Sequence, residues 1–359
     1  MMRRLRVLQV GPLPPLVGGM ATVVANLMQH QGSCDDARVL DNAKTTPADR
    51  PLWQGVVAQL RLLGRLGSIC ALWRPQVVHV HTCSQFTFWR SAVDVALARL
   101  LGRRVVLQVH SNRLDEFIAQ QDRPRRWLAM RALALADRVL ILGEFARATL
   151  GTWVEPARVE VVPNAVTLGP SVEYRAEGAL EVLCLANYEA RKAQSDLVLA
   201  LARLPLTVDV RLRFAGVESV PGARACLLAL ADGLGLRGRV SADGPLLGTD
   251  KADWLRRGDC MCLPSRADAM PMSILEAMAI GLPVVATRVG AIPEMLADGT
   301  EGLLCAPGDI DALAGHLHAL ATDSALRRRL GQAGRERIRR EFEIRQCVQR
   351  LHELYLSLT

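Results

Sequence analysis

Asp268 and Glu276 stand on either side of a helix start in the run Leu263–Pro283, spaced to hold a ligand that carries both phosphates and hydroxyls. Pro271 suits the first turn of that helix, where its missing N–H would be an orphan anyway. Gly281 marks the helix end, and Pro283 opens the strand that follows. Free N–H groups at such a helix start make a natural phosphate site. The two carboxylates can accept from hydroxyls beside it. An ordinary helix with a solvated Glu and a loop Asp has the same spacing, so spacing alone leaves both readings open.

Other residues invite chemistry singly. Of the 44 Lys and Arg, only Lys44, Lys192 and Lys251 are lysines, so a lone Lys stands out in this chain. Gly18-Gly19 follow the first apolar run and let backbone approach a phosphate or sugar closely, although loops also carry such pairs for turns alone. His110 follows Val105–Val109 at a strand end, where a histidine by itself is more often structural. His79 and His81 alternate on one strand face with no third ligand in evidence, which favours a structural or acceptor-side role over a metal pair. Cys260 and Cys262, two apart in an apolar run, read as buried strand thiols.

Short β-rich runs separated by helices must position these residues. Leu5–Val10, Val77–Val80, Val105–Val109, Val139–Leu142 and Val159–Val162 predict strands, with helices at Ala21–Gln29, Ser91–Leu101 and Arg125–Ala136. The pattern pauses over 166–178, then restarts with strands at Val182–Ala186, Val208–Ala215, Val240–Ala242, Met261–Leu263 and Pro283–Ala286. Helices are expected near Ser195–Leu204, Gly222–Leu234, Met272–Ile280, Ile310–Ala321, Ser324–Arg339 and Ile344–Leu358. Such alternation predicts an α/β fold of two Rossmann-like domains, each a parallel sheet covered by helices, facing a central cleft. The expected division is 1–168, 177–340, and a C-terminal helix at 341–359 that packs back on the first domain. In open α/β sheets ligands bind beyond the carboxyl ends of the strands, so function belongs in the loops after strands.

The 359 residues, half hydrophobic and 22% charged, suit a globular chain of two domains. No apolar run of the roughly 20 residues that span a bilayer stands out, and no secretory signal is evident at the basic start. The nine cysteines, scattered and odd in number, suit free thiols in a reducing, cytoplasmic setting. Residues 1–170 hold 21 Lys and Arg against 12 Asp and Glu, so the net charge of +8 resides in the N-terminal half. That surplus suits an anionic acceptor or an acidic membrane surface. Trp53–Trp73, with Leu60, Leu63, Leu66, Ile69, Leu72, Arg61 and Arg65, reads either as an interfacial helix or as a core helix. Nucleic-acid binding is disfavoured, because no aromatic-rich basic motif occurs.

From Leu275 to Ala286 the chain reads Leu-Glu-Ala-Met-Ala-Ile-Gly-Leu-Pro-Val-Val-Ala. This resembles the EX7E segment of the retaining glycosyltransferases of family four, whose two-domain architecture is called GT-B. Val161–Val166 resembles that family's hinge, and Leu185–Ala193 its strand-loop motif ending in Lys-Gly. Gly290–Glu294 and Gly299–Leu304 match its next two segments. The resemblance spans nearly the whole chain. It departs from the pattern at Asp268 for Glu, Ala269 for Gly, Asn187 for Arg, and Ala165 and Thr167 in the hinge.

The resemblance implies a nucleotide-sugar donor, with Glu276 accepting from ribose hydroxyls and Asp268 near the transferred sugar. Gly18, Gly19, Asn187, Lys192, Ala269 and Met270 are then donor-binding positions. Lys192 and the helix start would stabilise the diphosphate leaving group without a metal, with Arg191 or Arg266 as candidates to replace the absent Arg at Asn187. His110 corresponds to a histidine near the donor sugar. Lys192, His110 and Asp268 are the catalytic candidates. Asp309-Ile310-Asp311 imitates a DXD metal motif of another glycosyltransferase architecture, but before a helix it reads as an N-cap. The expected reaction is retaining transfer of a hexose-type sugar from a UDP- or GDP-sugar to a glycan or lipid-linked acceptor, with no cofactor. One alternative is a GT-B epimerase or phosphorylase, the latter needing a pyridoxal lysine for which only Lys192 is a candidate; the other is a catalytically degenerate binding or scaffold subunit, which Asp268, Ala269 and Asn187 keep open.

Overall fold

The computed structural model describes residues 4–15, 18–43, 52–175 and 177–359. Lys44 lies outside the described residues. The chain divides into two compact units, one running to Ala165 and including Ile344–Thr359, the other spanning Val166–Glu343.

In the N-terminal unit the elements run β1 (Arg6–Gly11), α1 (Gly19–Gln31), β2 (Asp36–Asp41), α2 (Leu52–Leu72), β3 (Val77–Thr82), α3 (Phe86–Leu100) and β4 (Arg104–Val109). Then come α4 (Leu114–Ala119), α5 (Arg123–Leu135), β5 (Arg138–Ile141), α6 (Arg147–Leu150) and β6 (Val159–Val161). The strands form one parallel sheet in the order β2-β1-β3-β4-β5-β6. Strands covered on both faces must bury both sets of side chains. Leu8, Val10, Val78 and Val80 join an apolar core with Leu66, Phe88, Val95 and Leu133 from α2, α3 and α5. Between them on the strands, Gln9, His79 and His81 are fully buried, and Gln9 lies in register with His79. A buried row of polar side chains therefore runs across β1 and β3.

The C-terminal unit contains β7 (Leu180–Leu185), α7 (Gln194–Ala202), β8 (Val210–Ala215), α8 (Ala223–Gly233), β9 (Val240–Asp243), α9 (Gly248–Arg256) and β10 (Cys260–Leu263). It continues with α10 (Met272–Ala279), β11 (Val284–Thr287), α11 (Ile292–Met295), β12 (Leu303–Cys305), α12 (Ile310–Thr322) and α13 (Ser324–Arg337). Its parallel sheet has the order β12-β11-β10-β7-β8-β9. A π-helical turn, Ile338–Phe342, precedes α14 (Ile344–Leu358), which returns to the N-terminal unit and packs on α1. α14 buries Ile344, Val348, Leu351 and Tyr355, the inward stripe of an amphipathic helix.

Three expectations need correction. β2 and β12 were not expected: β2 sits at a sheet edge with a half-exposed Asp-Ala-Arg-Val-Leu-Asp sequence, and β12 has only three residues. Pro271 is the N-cap of α10, with φ −70° and ψ 124°, one position before the first turn. The third concerns α2, whose 53–72 span is long and apolar enough to cross a membrane by length and composition, yet only 11% of it is buried.

Candidate functional site

Each sheet has one place where neighbouring strands send their connections in opposite directions, and crevices open beyond the strand ends there. In the C-terminal unit that place lies between β7 and β10. Lys192 follows β7 and Asp268 follows β10, so strand order alone makes neighbours of residues 76 positions apart. Lys192 Nζ lies 2.5 Å from Asp268 Oδ2, and each residue is only 9% exposed. Ser265 Oγ donates to the same oxygen at 3.3 Å.

The turns that carry this pair are held tightly. Lys192 closes the turn Ala190–Lys192, after which Ala193 takes the left-handed conformation, φ 51° and ψ 38°, and starts α7. Arg191 Nη1 donates to Ala267 O at 3.2 Å, and Arg266 N–H donates back to Arg191 O at 2.8 Å. From the other side Thr287 Oγ1 donates to Ser265 O, and Ala291 N–H to Ala269 O at 2.8 Å. Gly290, at φ 54°, presses so closely that a Cβ there would come within 2.0 Å of Asp268 O. Ala269 and Met270 are buried in this loop, which leads to the start of α10, where no side chain caps the helix. An uncapped helix start presents N–H groups and a dipole that attract an anion.

Glu276, inside α10, has a partner that the sequence did not signal. Lys251 Nζ of α9 lies 2.7 Å from Glu276 Oε1. Two of the chain's three lysines are thus committed to the two acids of the motif. The scarcity of lysine was the only hint, and it pointed to Lys192 and Lys251 alike.

Asn187 has a positional part. Its Oδ1 accepts from Val217 N–H at 3.3 Å, while its carbonyl oxygen accepts from Gln194 Nε2 at 2.9 Å. The arginines considered as replacements are engaged: Arg266 reaches both oxygens of buried Asp196 at 3.0 and 3.1 Å, and Arg191 pairs with Glu189 at 2.6 Å. Asp309 caps α12, accepting from Ala312 N–H at 2.9 Å, as an N-cap should. The Cys260 and Cys262 thiols are buried in β10, and burial pushes both up, away from the thiolate a metal would need.

The remaining candidates lie in the N-terminal unit, where the strand connections diverge between β1 and β3. Gly18, extended at φ 166° and ψ 154°, begins α1, and a Cβ there would meet nothing within 4 Å. Gly18 therefore opens space at the helix start, and steric demand is not what requires glycine there. His110, after β4, is half-buried, with Nε2 2.9 Å from His81 Nδ1. His81 stacks on His79, ring centroids 4.5 Å apart, and its Nε2 lies 2.9 Å from Gln9 Oε1. Burial, and for His79 and His81 the neighbouring rings, push these histidines below their ordinary range, His79 to about 3 and His110 to about 4. Among the described residues no group of three His, Cys, Asp or Glu side chains could hold a metal ion.

Comparison with known proteins bears on the family and the fold. The family model described as "Glycosyl transferases group 1" matches residues 172–337, and that described as "Glycosyl transferase 4-like domain" matches 18–165. N-acetyl-alpha-D-glucosaminyl L-malate synthase of Bacillus anthracis is 32% identical over 175 residues, 48% of this chain and 44% of that protein. MMP alpha-(1->4)-mannosyltransferase of Mycolicibacterium hassiacum is 30% identical over 249 residues, 68% of this chain and 57% of that one. The chain spans about half the length of these two curated relatives. Sucrose-phosphate synthase from Thermosynechococcus elongatus superposes with a TM-score of 0.81 at 21% identity, covering 99% of each chain. Anabaena HepE in complex with UDP-glucose gives 0.77 at 16% identity, covering 99% of this chain and 100% of that one. These likenesses show the two-domain α/β GT-B fold.

Proposed function

The chain belongs to the group 1 glycosyl transferases, and from that premise we propose that it transfers a hexose-type sugar from a UDP- or GDP-sugar to a hydroxyl acceptor. The observation that carries this reading is the Lys192–Asp268 pair beside the uncapped start of α10. When the sugar–phosphate bond breaks, negative charge grows on the departing nucleoside diphosphate. The Lys192 ammonium and the α10 N–H groups lie where such charge is best stabilised, and neither must reorganise to act. Asp268 holds the ammonium in place and offers its carboxylate to sugar hydroxyls. Glu276, steadied by Lys251, accepts from the ribose.

With a fixed cation and a helix start supplying the positive charge, the transfer proceeds without a metal. No side chain of the cluster presents itself as a covalent nucleophile, which suits retention by same-face attack. HepE, whose structure holds UDP-glucose, supports a nucleotide-sugar donor. Transfer is tested by release of nucleoside diphosphate from a panel of UDP-, GDP- and ADP-sugars in the presence of EDTA, with the product's anomeric configuration read by NMR. The absence of both turnover and a thermal shift with every donor would sink the reading.

The acceptor, a glycan or a lipid-linked hydroxyl compound, meets the basic N-terminal unit at the cytoplasmic face of a membrane. This reading is supported by α2, where Trp53 and Leu60 are 64% and 61% exposed beside exposed Arg61 and Arg65. Apolar side chains flanked by arginines suit the interface of an acidic lipid layer.

A further inference from the structure

The polar row beneath His110 does not stop at His81 but ends on a carboxylate. Asp35, fully buried between α1 and β2, receives three donors. They are Leu5 N–H at 3.3 Å, Gln31 Nε2 at 3.5 Å, and His352 Nδ1 of α14 at 2.8 Å. Its oxygens accept from the Leu5 and Gln31 N–H groups, and that sets the direction of every link that follows.

With Gln31 Nε2 turned to Asp35, Gln31 Oε1 faces Gln9 and accepts from its Nε2 at 2.9 Å. Gln9 Oε1 then faces His81, so His81 carries its proton on Nε2. His81 Nδ1 is left as an acceptor, and the His110 Nε2 that approaches it at 2.9 Å must be the donor. The opposite polarity would set Gln31 Oε1 against the Asp35 carboxylate, two acceptors in a buried space, and is excluded on that ground. Tyr355 of α14 closes the flank, with its hydroxyl 2.7 Å from His79 Nδ1 and 3.4 Å from Gln9 Nε2. Gln9, Gln31, Asp35 and His81 are each at most 1% exposed, so bulk water cannot reset the chain.

We propose that Asp35, Gln31, Gln9 and His81 are positioning residues that fix His110 in the Nε2–H tautomer and so leave its Nδ1 as a hydrogen-bond acceptor at the carboxyl end of β4. The effect on turnover rests on the glycosyltransferase reading above; the tautomer does not. A histidine whose second nitrogen is engaged in this way has one role fixed for the first.

Long-range proton–nitrogen NMR of the full chain, with nitrogen-15 histidine, reads the tautomer directly. The wild-type protein should show His110 protonated on Nε2. Asp35→Asn, whose amide can face either way, and Gln9→Leu, which cuts the chain, should each give mixed tautomers. Both should lower kcat by about 10- to 100-fold, because the acceptor nitrogen of His110 is no longer fixed. Affinity for UDP or GDP should stay unchanged, since Lys192, Asp268 and Glu276 are untouched. A wild-type His110 protonated on Nδ1, or an unchanged tautomer in folded variants, would overturn the proposal. An equal loss of nucleotide affinity would do the same. The wild-type spectrum decides even if a variant fails to fold. A protein that consumes no nucleotide sugar would refute the proposed activity while leaving the tautomer to be decided by NMR.

Discussion

Lys192 and Asp268 form a charge pair nearly out of reach of water, and the loss of either partner strands the other. Lys192→Met should destabilise the C-terminal unit by about 3 kcal/mol, because an unpaired buried carboxylate remains. Adding Asp268→Asn should recover most of that stability in urea unfolding, yet neither variant should turn over at more than about one-hundredth of the wild-type rate. Recovery of activity together with stability would reduce the pair to a structural strut. At Glu276 the expected loss is milder. Lys251→Met removes one charge-assisted bond, so the dissociation constant for the nucleotide should rise by about tenfold in calorimetry, with the fold intact. The two acids were legible because the chain repeats a family's spacing around them. Lys251 was not, since it approaches Glu276 from a separate helix and no local pattern predicts that meeting.

Turns and helices set how closely the site is assembled, and two of them can be tested by a single methyl group. Ala193 occupies a left-handed backbone position that costs an L-residue about 1 kcal/mol or more, whereas glycine adopts it freely. Ala193→Gly, the residue the resembling motif carries there, should raise stability by about 0.5 kcal/mol once the looser unfolded chain is counted. Gly290→Ala should do the reverse. Its Cβ would collide with Asp268 O, so the loop before α10 must shift, and loss of activity should exceed loss of stability. Sequence periodicity gave the buried central strands well, since continuous apolar runs of that length have few other uses. It passed over β2, whose edge position lets half its side chains stay wet and erases the apolar signature. The polar row was equally hidden: Gln9, His81 and Tyr355 come from three elements and Asp35 from the turn before β2, and they are joined across up to 346 residues of chain.

At the scale of the molecule, buried neutral histidines make the protein sensitive to acid. His79 and His110 have folded pKa values of about 3 and about 4, below the unfolded value, and His81 is lowered as well. The unfolded chain therefore binds more protons below roughly pH 6.5, so this part of the stability is present above that pH and drains away as pH falls toward 4. The loss should approach about 1.4 kcal/mol per pH unit for each histidine kept neutral. It would appear as a steep fall in melting temperature between pH 6 and pH 4 (order-of-magnitude window) that His79→Phe makes shallower. The exposed face of α2 makes a separate claim. Flotation with vesicles containing anionic lipid should carry the protein upward, salt should weaken the association, and Leu60→Asp should abolish it without altering turnover of soluble acceptors. Binding to neutral and anionic vesicles alike would remove the arginines from the explanation.

α14 belongs to the N-terminal unit, but in sequence it follows the whole of the other unit, Val166–Glu343. On a ribosome the first sheet emerges long before His352 and Tyr355 exist, so Asp35 and His79 must wait for partners made 317 and 276 residues later. A chain interrupted before residue 344 would display both units with the row under His110 half built. Synthesis of α14 is thus a condition for assembling the row, and a ribosome-stalled chain released by puromycin should acquire protease resistance in the first unit only after α14 has emerged.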